Sequence, residues 1–239
     1  MVSQLVLGEV AEVLSISERW IQVRTMHDGY PGWVGKSQMK FLGQAETLEW
    51  LNHPLRARSP YRTFRAFSDL EAVTVPPGSF VVFDEDQIIL PGLTLSVQAE
   101  PDVIKGETVL DTALNFMGAP YLWGGRSDTG IDCSGFTQMC YGLHACDLPR
   151  DSGDQYKVGG ITGDSIAAAQ RGDLLYFGES TERISHVGFY LGEGSLLHAS
   201  GNVRINNIDY SKRYVNRFPY NERLAGKLVG VQTSRVFEP

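Results

Sequence analysis

Cysteine is scarce in this chain of 239 residues, and all three, Cys133, Cys140 and Cys146, fall close together. If one helix carries Cys133 and Cys140, seven positions set their Cα atoms about 10 Å apart. A disulfide needs less than about 7 Å, and the spacing lacks the paired C-x₂-C pattern of a zinc site. The expectation is three thiols in a reducing compartment. No apolar run approaches the roughly 18 residues that span a bilayer. The segment Met1–Glu9 has neither a basic n-region nor a long apolar h-region, so as it stands it is not a signal peptide, and a cytoplasmic location is expected. Clustered positive charge is also missing. The 21 Lys and Arg against 28 Asp and Glu leave a net charge of −7 with no basic runs. Nucleic acid and anionic membrane surfaces need a concentrated basic patch, so neither is expected as a partner.

Apolar residues make up 42% of the chain, enough for a sizeable core. The first hundred residues read as β structure. Trp20–Arg24 gives a strand, Asp28–Gly32 a turn and Trp33–Gly35 another strand, a spacing that suggests a small barrel. A second set follows at Ala72–Val75, Ser79–Phe83, Gln87–Leu90 and Thr94–Val97, while residues 41–70 give no clear pattern. After Pro101 the period changes. Apolar positions from Val103 to Met117 predict an amphipathic helix, and a second helix is expected from Cys133 to about Leu143. Strands are expected at Asp173–Phe177, Ser185–Leu191 and Ser195–Ala199. The boundaries this implies are 1–43 and 44–102 for two β domains and 103–239 for a mixed domain.

Cys133 follows the glycine loop Trp123-Gly124-Gly125 and opens a helix. Backbone N–H groups at a helix N-terminus favour a thiolate, and a nearby imidazole would help remove the proton. Alternation sets His186, Gly188 and Tyr190 on one strand face, with Gly188 expected to leave room beside the imidazole. His198, in the next strand, would orient that base as the third member of a triad. Cys140 and Cys146 have no such loop before them and read as small buried hydrophobes; His27, His53 and His144 read as structural or exposed.

Six blocks in one order carry a resemblance. They are Tyr121-Leu122-Trp123-Gly124-Gly125, Ile131-Asp132-Cys133-Ser134-Gly135-Phe136, Leu148-Pro149-Arg150-Asp151-Ser152, Gly172–Phe177, Ser185-His186-Val187-Gly188 and Leu197-His198-Ala199-Ser200-Gly201. Together they resemble the NlpC/p60 cysteine peptidases over about residues 103–236. The resemblance implies an α+β chain with a papain-like catalytic domain, Cys133, His186 and His198 in the triad positions, and Tyr121 helping to stabilise the oxyanion. The stretch Asp28–Val34 is similar to bacterial SH3-type domains, so small SH3-like β-barrels are expected ahead of the catalytic domain.

That pairing resembles the γ-D-glutamyl-L-diamino acid endopeptidases, which take small muropeptides with a free N-terminal L-Ala and cut after D-Glu. By this likeness Asp132, Ser134 and Ser152 contact the L-Ala-γ-D-Glu unit, and Tyr30 of the first barrel closes the site. A buried ammonium needs a carboxylate, the role expected of Asp132. Relatives carry a further strand, ending in a glutamate that helps hold the amine, before the stretch matching Val2–Leu5; the first barrel is therefore expected to lack that strand. The chemistry implied is amide hydrolysis through a thioester, with no metal and no organic cofactor. An amidase, an acyltransferase or a general wall hydrolase of the same fold is the runner-up, and an inactive wall-binding protein is the rival from another class.

Overall fold

The computed structural model describes residues 1–234, so the last five positions of the expected catalytic domain lie outside it. The chain separates into two compact units, Met1–Ile104 and the remainder from Lys105. Among the described residues, no helix is long and apolar enough to cross a membrane.

The first unit is built from two antiparallel sheets. Strands β1 (Ala11–Ile16), β2 (Trp20–Thr25) and β3 (Pro31–Gly35) form one in that order. The residues that gave no clear pattern fold as helix α1 (Gln44–Leu51) and strands β4 (Ala57–Arg58) and β5 (Phe64–Phe67). Strands β6 (Ala72–Val75), β7 (Phe80–Asp84), β8 (Gln87–Leu90) and β9 (Leu93–Ser96) complete a second sheet in the order β4-β7-β8-β9-β5-β6. Ala66, Val75, Val81, Ile88 and Leu95 form its core, with Trp50 of α1 packed on them. The segment before β1 is tied down by the Phe80 N–H donating to Leu7 O at 2.9 Å and Trp50 Nε1 donating to Gly8 O at 3.0 Å. Gly8 has φ +76°, and a Cβ there would lie 1.8 Å from Phe80 O, so only glycine fits.

In the second unit the expected helix from Val103 to Met117 shortens to α2 (Val109–Leu114). Ile104 belongs to the first unit, where its N–H donates to Pro60 O. Thr108 then starts the helix by accepting from the Asp111 N–H while the Asp111 carboxylate reaches back to the Thr108 N–H. This reciprocal cap outweighs apolar periodicity further upstream. A two-stranded ribbon of β10 (Arg126–Ser127) and β11 (Gly130–Ile131) leads into α3 (Cys133–Gly142), every residue of which is buried. Phe136 of α3 meets Phe116 and Phe189 edge-on at 5.9 and 5.4 Å, and Tyr141 stacks on Phe189 at 6.1 Å. Each such ring contributes about 1.5–3 kcal/mol through burial, which fixes the helix against the sheet.

The short helix α4 (Ser152–Lys157) and strand β12 (Ile161–Gly163) come next. Strands β13 (Leu174–Gly178), β14 (Ile184–Gly192), β15 (Ser195–Ser200) and β16 (Asn202–Asn207) follow, then α5 (Glu222–Ala225) and β17 (Leu228–Gln232). The six strands pair antiparallel in the order β12-β17-β13-β14-β15-β16. The strands expected from sequence at Asp173–Phe177, Ser185–Leu191 and Ser195–Ala199 are β13, β14 and β15, three neighbours in this sheet. Phe189 faces α3, whereas Tyr190 packs with Leu175, Phe177 and Leu224 on the opposite side.

Candidate active site

Cys133 is the first residue of α3, with Asp132 as its N-cap. The backbone N–H groups of Ser134 and Val187 are aimed at its sulfur, so the thiol lies beside the strand segment that carries His186. Helix and amide effects favour the thiolate, as expected from sequence. They do not prevail, because burial, with a further contribution from the Asp132 charge, pushes the thiol up to about 11. Burial thus favours the neutral thiol over the thiolate.

The imidazoles of His186 and His198 are linked by a 2.7 Å hydrogen bond between His186 Nε2 and His198 Nδ1. His198 Nε2 lies 2.9 Å from Asn206 Oδ1, and Asn206 Nδ2 donates to Pro219 O at 3.0 Å. A backbone carbonyl only accepts, so it fixes the whole chain of polarity. Asn206 must present its oxygen to His198, whose Nε2 therefore carries the proton. His198 Nδ1 is then the acceptor, and His186 Nε2 donates to it. The bare atom left on His186 is Nδ1, the acceptor a thiol proton requires. Both rings are held neutral. Burial first, then the charges of His198 and Arg223, lower His186 to about 3. Burial lowers His198 to about 4, opposed by the hydrogen bond it donates to Asn206.

Gly188 does not leave open room beside the imidazole, contrary to the sequence expectation. A Cβ at Gly188 would lie 2.8 Å from both His198 Cβ and Leu197 O, so that space is filled by β15 itself. The glycine lets the two histidine-bearing strands approach closely. Asn206 escaped notice in the sequence. The signal was there in the tight Ser200-Gly201-Asn202 turn, which pairs His198 with Arg204 and places Asn206 two residues on, on the same face.

Around the nucleophile, the Asp132 carboxylate is already fully engaged. Its Oδ1 accepts from the Gly135 N–H at 2.7 Å and from Arg150 Nη1 at 3.1 Å. Its Oδ2 accepts from the Gly124 N–H at 2.8 Å and from Arg150 Nη2 at 2.6 Å. This buried carboxylate is therefore not an unpaired charge, since the guanidinium of Arg150, also buried, neutralises it. Arg150 Nη1 also donates to Ser134 Oγ at 2.9 Å. Gln155 of α4 completes the support, donating to Ser134 O at 3.0 Å and to Pro149 O at 2.9 Å while accepting from Thr137 Oγ1 at 2.8 Å.

Ser152 opens α4 and is buried. Tyr121 is half-buried, its phenol pushed up to about 12 by burial and by the neighbouring Cys133 and Asp132 charges, so it stays a hydrogen-bond donor. The second unit thus holds Cys133, His186, His198, Tyr121, Asp132, Ser134 and Ser152. Tyr30 belongs to the first unit, in the turn between β2 and β3, where its N–H donates to Thr25 Oγ1 at 2.7 Å. Cys140 is buried within α3, and His144 pairs with Thr112 Oγ1 at 2.8 Å. His27 lies between Glu9 and Asp28, at 3.5 and 3.2 Å.

Comparison with known proteins bears on the fold and the family. The NlpC/P60 family profile matches residues 118–220, and that of the bacterial dipeptidyl-peptidase SH3 domain matches residues 1–39. The chain is 33% identical over 217 residues to a gamma-D-glutamyl-L-lysine dipeptidyl-peptidase of Bacillus subtilis, covering 82% of this chain and 71% of that protein. It is 26% identical to the protein of the same name from Bacillus cereus, covering 82% and 66%. An NlpC/P60 family crystal structure from Bacillus cereus superposes with a TM-score of 0.79 over 97% of this chain and 81% of the other, at 23% identity, and shows the shared fold. With the fold and these likenesses in agreement, the chain belongs to the NlpC/P60 family of cysteine peptidases, with a bacterial dipeptidyl-peptidase SH3 domain ahead of its hydrolase unit.

Proposed function

We propose that this protein hydrolyses the γ-D-glutamyl–L-diamino acid bond of small muropeptides with a free N-terminal L-Ala. The observation that carries the reading is the His186–His198–Asn206 hydrogen-bonded chain, whose polarity leaves His186 Nδ1 without a proton, while the buried thiol of Cys133 accepts from the N–H of Val187, the next residue in the strand. The names of the two Bacillus relatives supply the bond to be cut.

In this mechanism Cys133 Sγ attacks the γ-carbonyl of D-Glu as its proton passes to His186 Nδ1. The Tyr121 hydroxyl donates to the oxygen on which negative charge develops. His186 then protonates the departing amine, leaving a thioester. Water, deprotonated by the same imidazole, releases L-Ala-γ-D-Glu and restores the thiol. Asp132 serves by holding the loop and helix start that present Cys133. Ser134 and Ser152, at the starts of α3 and α4, border the acyl portion of the substrate. The part given to Tyr30 in reading the amine rests on the resemblance alone.

Incubation with L-Ala-γ-D-Glu-L-Lys and with the diaminopimelate tripeptide, followed by mass analysis, tests the reading. The dipeptide and a free diamino acid are the expected products, with the N-acetylated peptides cut much more slowly. Comparable kcat/KM for free and acetylated peptides would place the protein among general wall hydrolases, and Tyr30→Ala would then leave that ratio unmoved.

A further inference from the structure

A cavity of about 380 Å³ opens on His186. Tyr121, Trp123, Phe177, Arg223 and Lys227 are among the other residues that line it, and no carboxylate does. Cys133, Asp132, Ser134 and Ser152 are not part of its wall. Two exposed cations therefore share a concave site with the catalytic imidazole. Among the described residues, neither Arg223 nor Lys227 forms an ion pair.

Both cations stand on an anchored segment. Leu224 of α5 is buried with Leu175, Phe177 and Tyr190, and its N–H is capped by Asn221 Oδ1 at 3.2 Å. The Lys227 N–H donates to Leu224 O, and its carbonyl accepts from the Gly178 N–H at the end of β13, each at 2.9 Å. The guanidinium of Arg223 is close enough for its charge to act on His186, His198 and Tyr121. A cationic cavity with no acid of its own has the chemistry of an anion site.

Which side of the scissile bond it serves follows from proton flow. His186 must deliver a proton to the departing nitrogen, so the departing residue lies on the imidazole side. The acyl portion lies towards Cys133 and the starts of α3 and α4. We propose that the cavity receives the residue released by cleavage, and that Arg223 and Lys227 bind its carboxylate groups. The inference rests on the peptidase reading above and adds what that site selects. A terminal diamino acid offers an α-carboxylate, and diaminopimelate adds a side-chain carboxylate, whereas the lysine side chain adds only an ammonium that these cations repel. Preference thus runs towards carboxylate-bearing leaving residues.

The test compares kcat/KM for L-Ala-γ-D-Glu-L-Lys, its C-terminal amide, and the meso-diaminopimelate tripeptide, in the wild-type protein and in Arg223→Gln/Lys227→Gln. In the wild type, amidation of the lysine tripeptide lowers kcat/KM about tenfold if the α-carboxylate is the group held. If the side-chain carboxylate is held, the diaminopimelate peptide exceeds the lysine peptide by a similar factor. Whichever ratio departs from one collapses to within about threefold of one in the double variant. Equal values for all three peptides in the wild type overturn the proposal, as does a ratio that survives the double substitution. Failure of the wild type to cleave any of the three overturns instead the peptidase reading on which it stands.

Discussion

Arg150→Met should be among the most damaging single substitutions in the second unit. The Arg150 side chain is 1% exposed and the Asp132 side chain 8%, and they meet in a two-pronged contact at 2.6 and 3.1 Å. Removing one partner of such a pair leaves a buried charge and costs about 3–5 kcal/mol. Asp132 retains the N–H groups of Gly124 and Gly135, which places the loss near the lower end, about 3 kcal/mol. Against a typical domain stability of about 5–15 kcal/mol, the variant still folds but with a much reduced margin. The double variant Asp132→Asn/Arg150→Met removes both charges and should recover about half of that loss. Urea unfolding followed by far-UV circular dichroism measures all three proteins. A loss under about 1 kcal/mol for Arg150→Met, with unchanged m, would refute the view that this pair organises the loop before Cys133.

Cys133→Ala should abolish turnover while leaving the fold intact; retention of a tenth of wild-type kcat would exclude it as nucleophile. Cys140→Ser should lose stability, because it buries a hydroxyl inside α3, yet keep kcat in the folded fraction, which thermal melts and assays at low temperature separate. His186→Ala should cost about as much as Cys133→Ala, and His198→Gln much less, since an amide oxygen still accepts from His186 Nε2; equal losses would give His198 a direct part in proton transfer. Stability should also fall in acid. The unfolded chain binds protons on these imidazoles below about pH 6.5, whereas the folded chain holds them neutral down to about 4 for His198 and about 3 for His186. Their contribution is present above pH 6.5 and is lost as pH falls towards 3, at about 1.4 kcal/mol per pH unit per imidazole. Urea midpoints in His198→Gln should show a shallower decline over that window, and an unchanged decline would remove His198 as a source.

Much of the second unit was legible because its determinants are local. A glycine loop, a helix start and two alternating strands each leave a mark within a few residues, which made Cys133, His186 and His198 candidates before the family resemblance gave them roles. The start of α2 was misplaced because apolar spacing extends from Val103, whereas the Thr108–Asp111 cap decides where the helix begins. Residues 41–70 defied reading because the short strands β4 and β5 are defined by pairing with β7 and β9 far along the chain, and α1 by the packing of Trp50 on that sheet's core. The same limit hid the partner of Asp132. Arg150 lies in a recognised motif, but only tertiary structure brings it eighteen positions back to the N-cap. Arg223 and Lys227 had no motif at all, and they matter only because Leu224 seats their segment beside His186.

The neutral state of the thiol bears on how the protein survives oxidation. Sulfenic acid formation, and reaction with small electrophiles, require the thiolate. With Cys133 held near 11 and His186 near 3, only a minute fraction of resting molecules carries the anion at neutral pH. Peroxide therefore finds little thiolate to attack in the resting protein. The burial that opposes ionisation thereby also shelters the sulfur from oxidants.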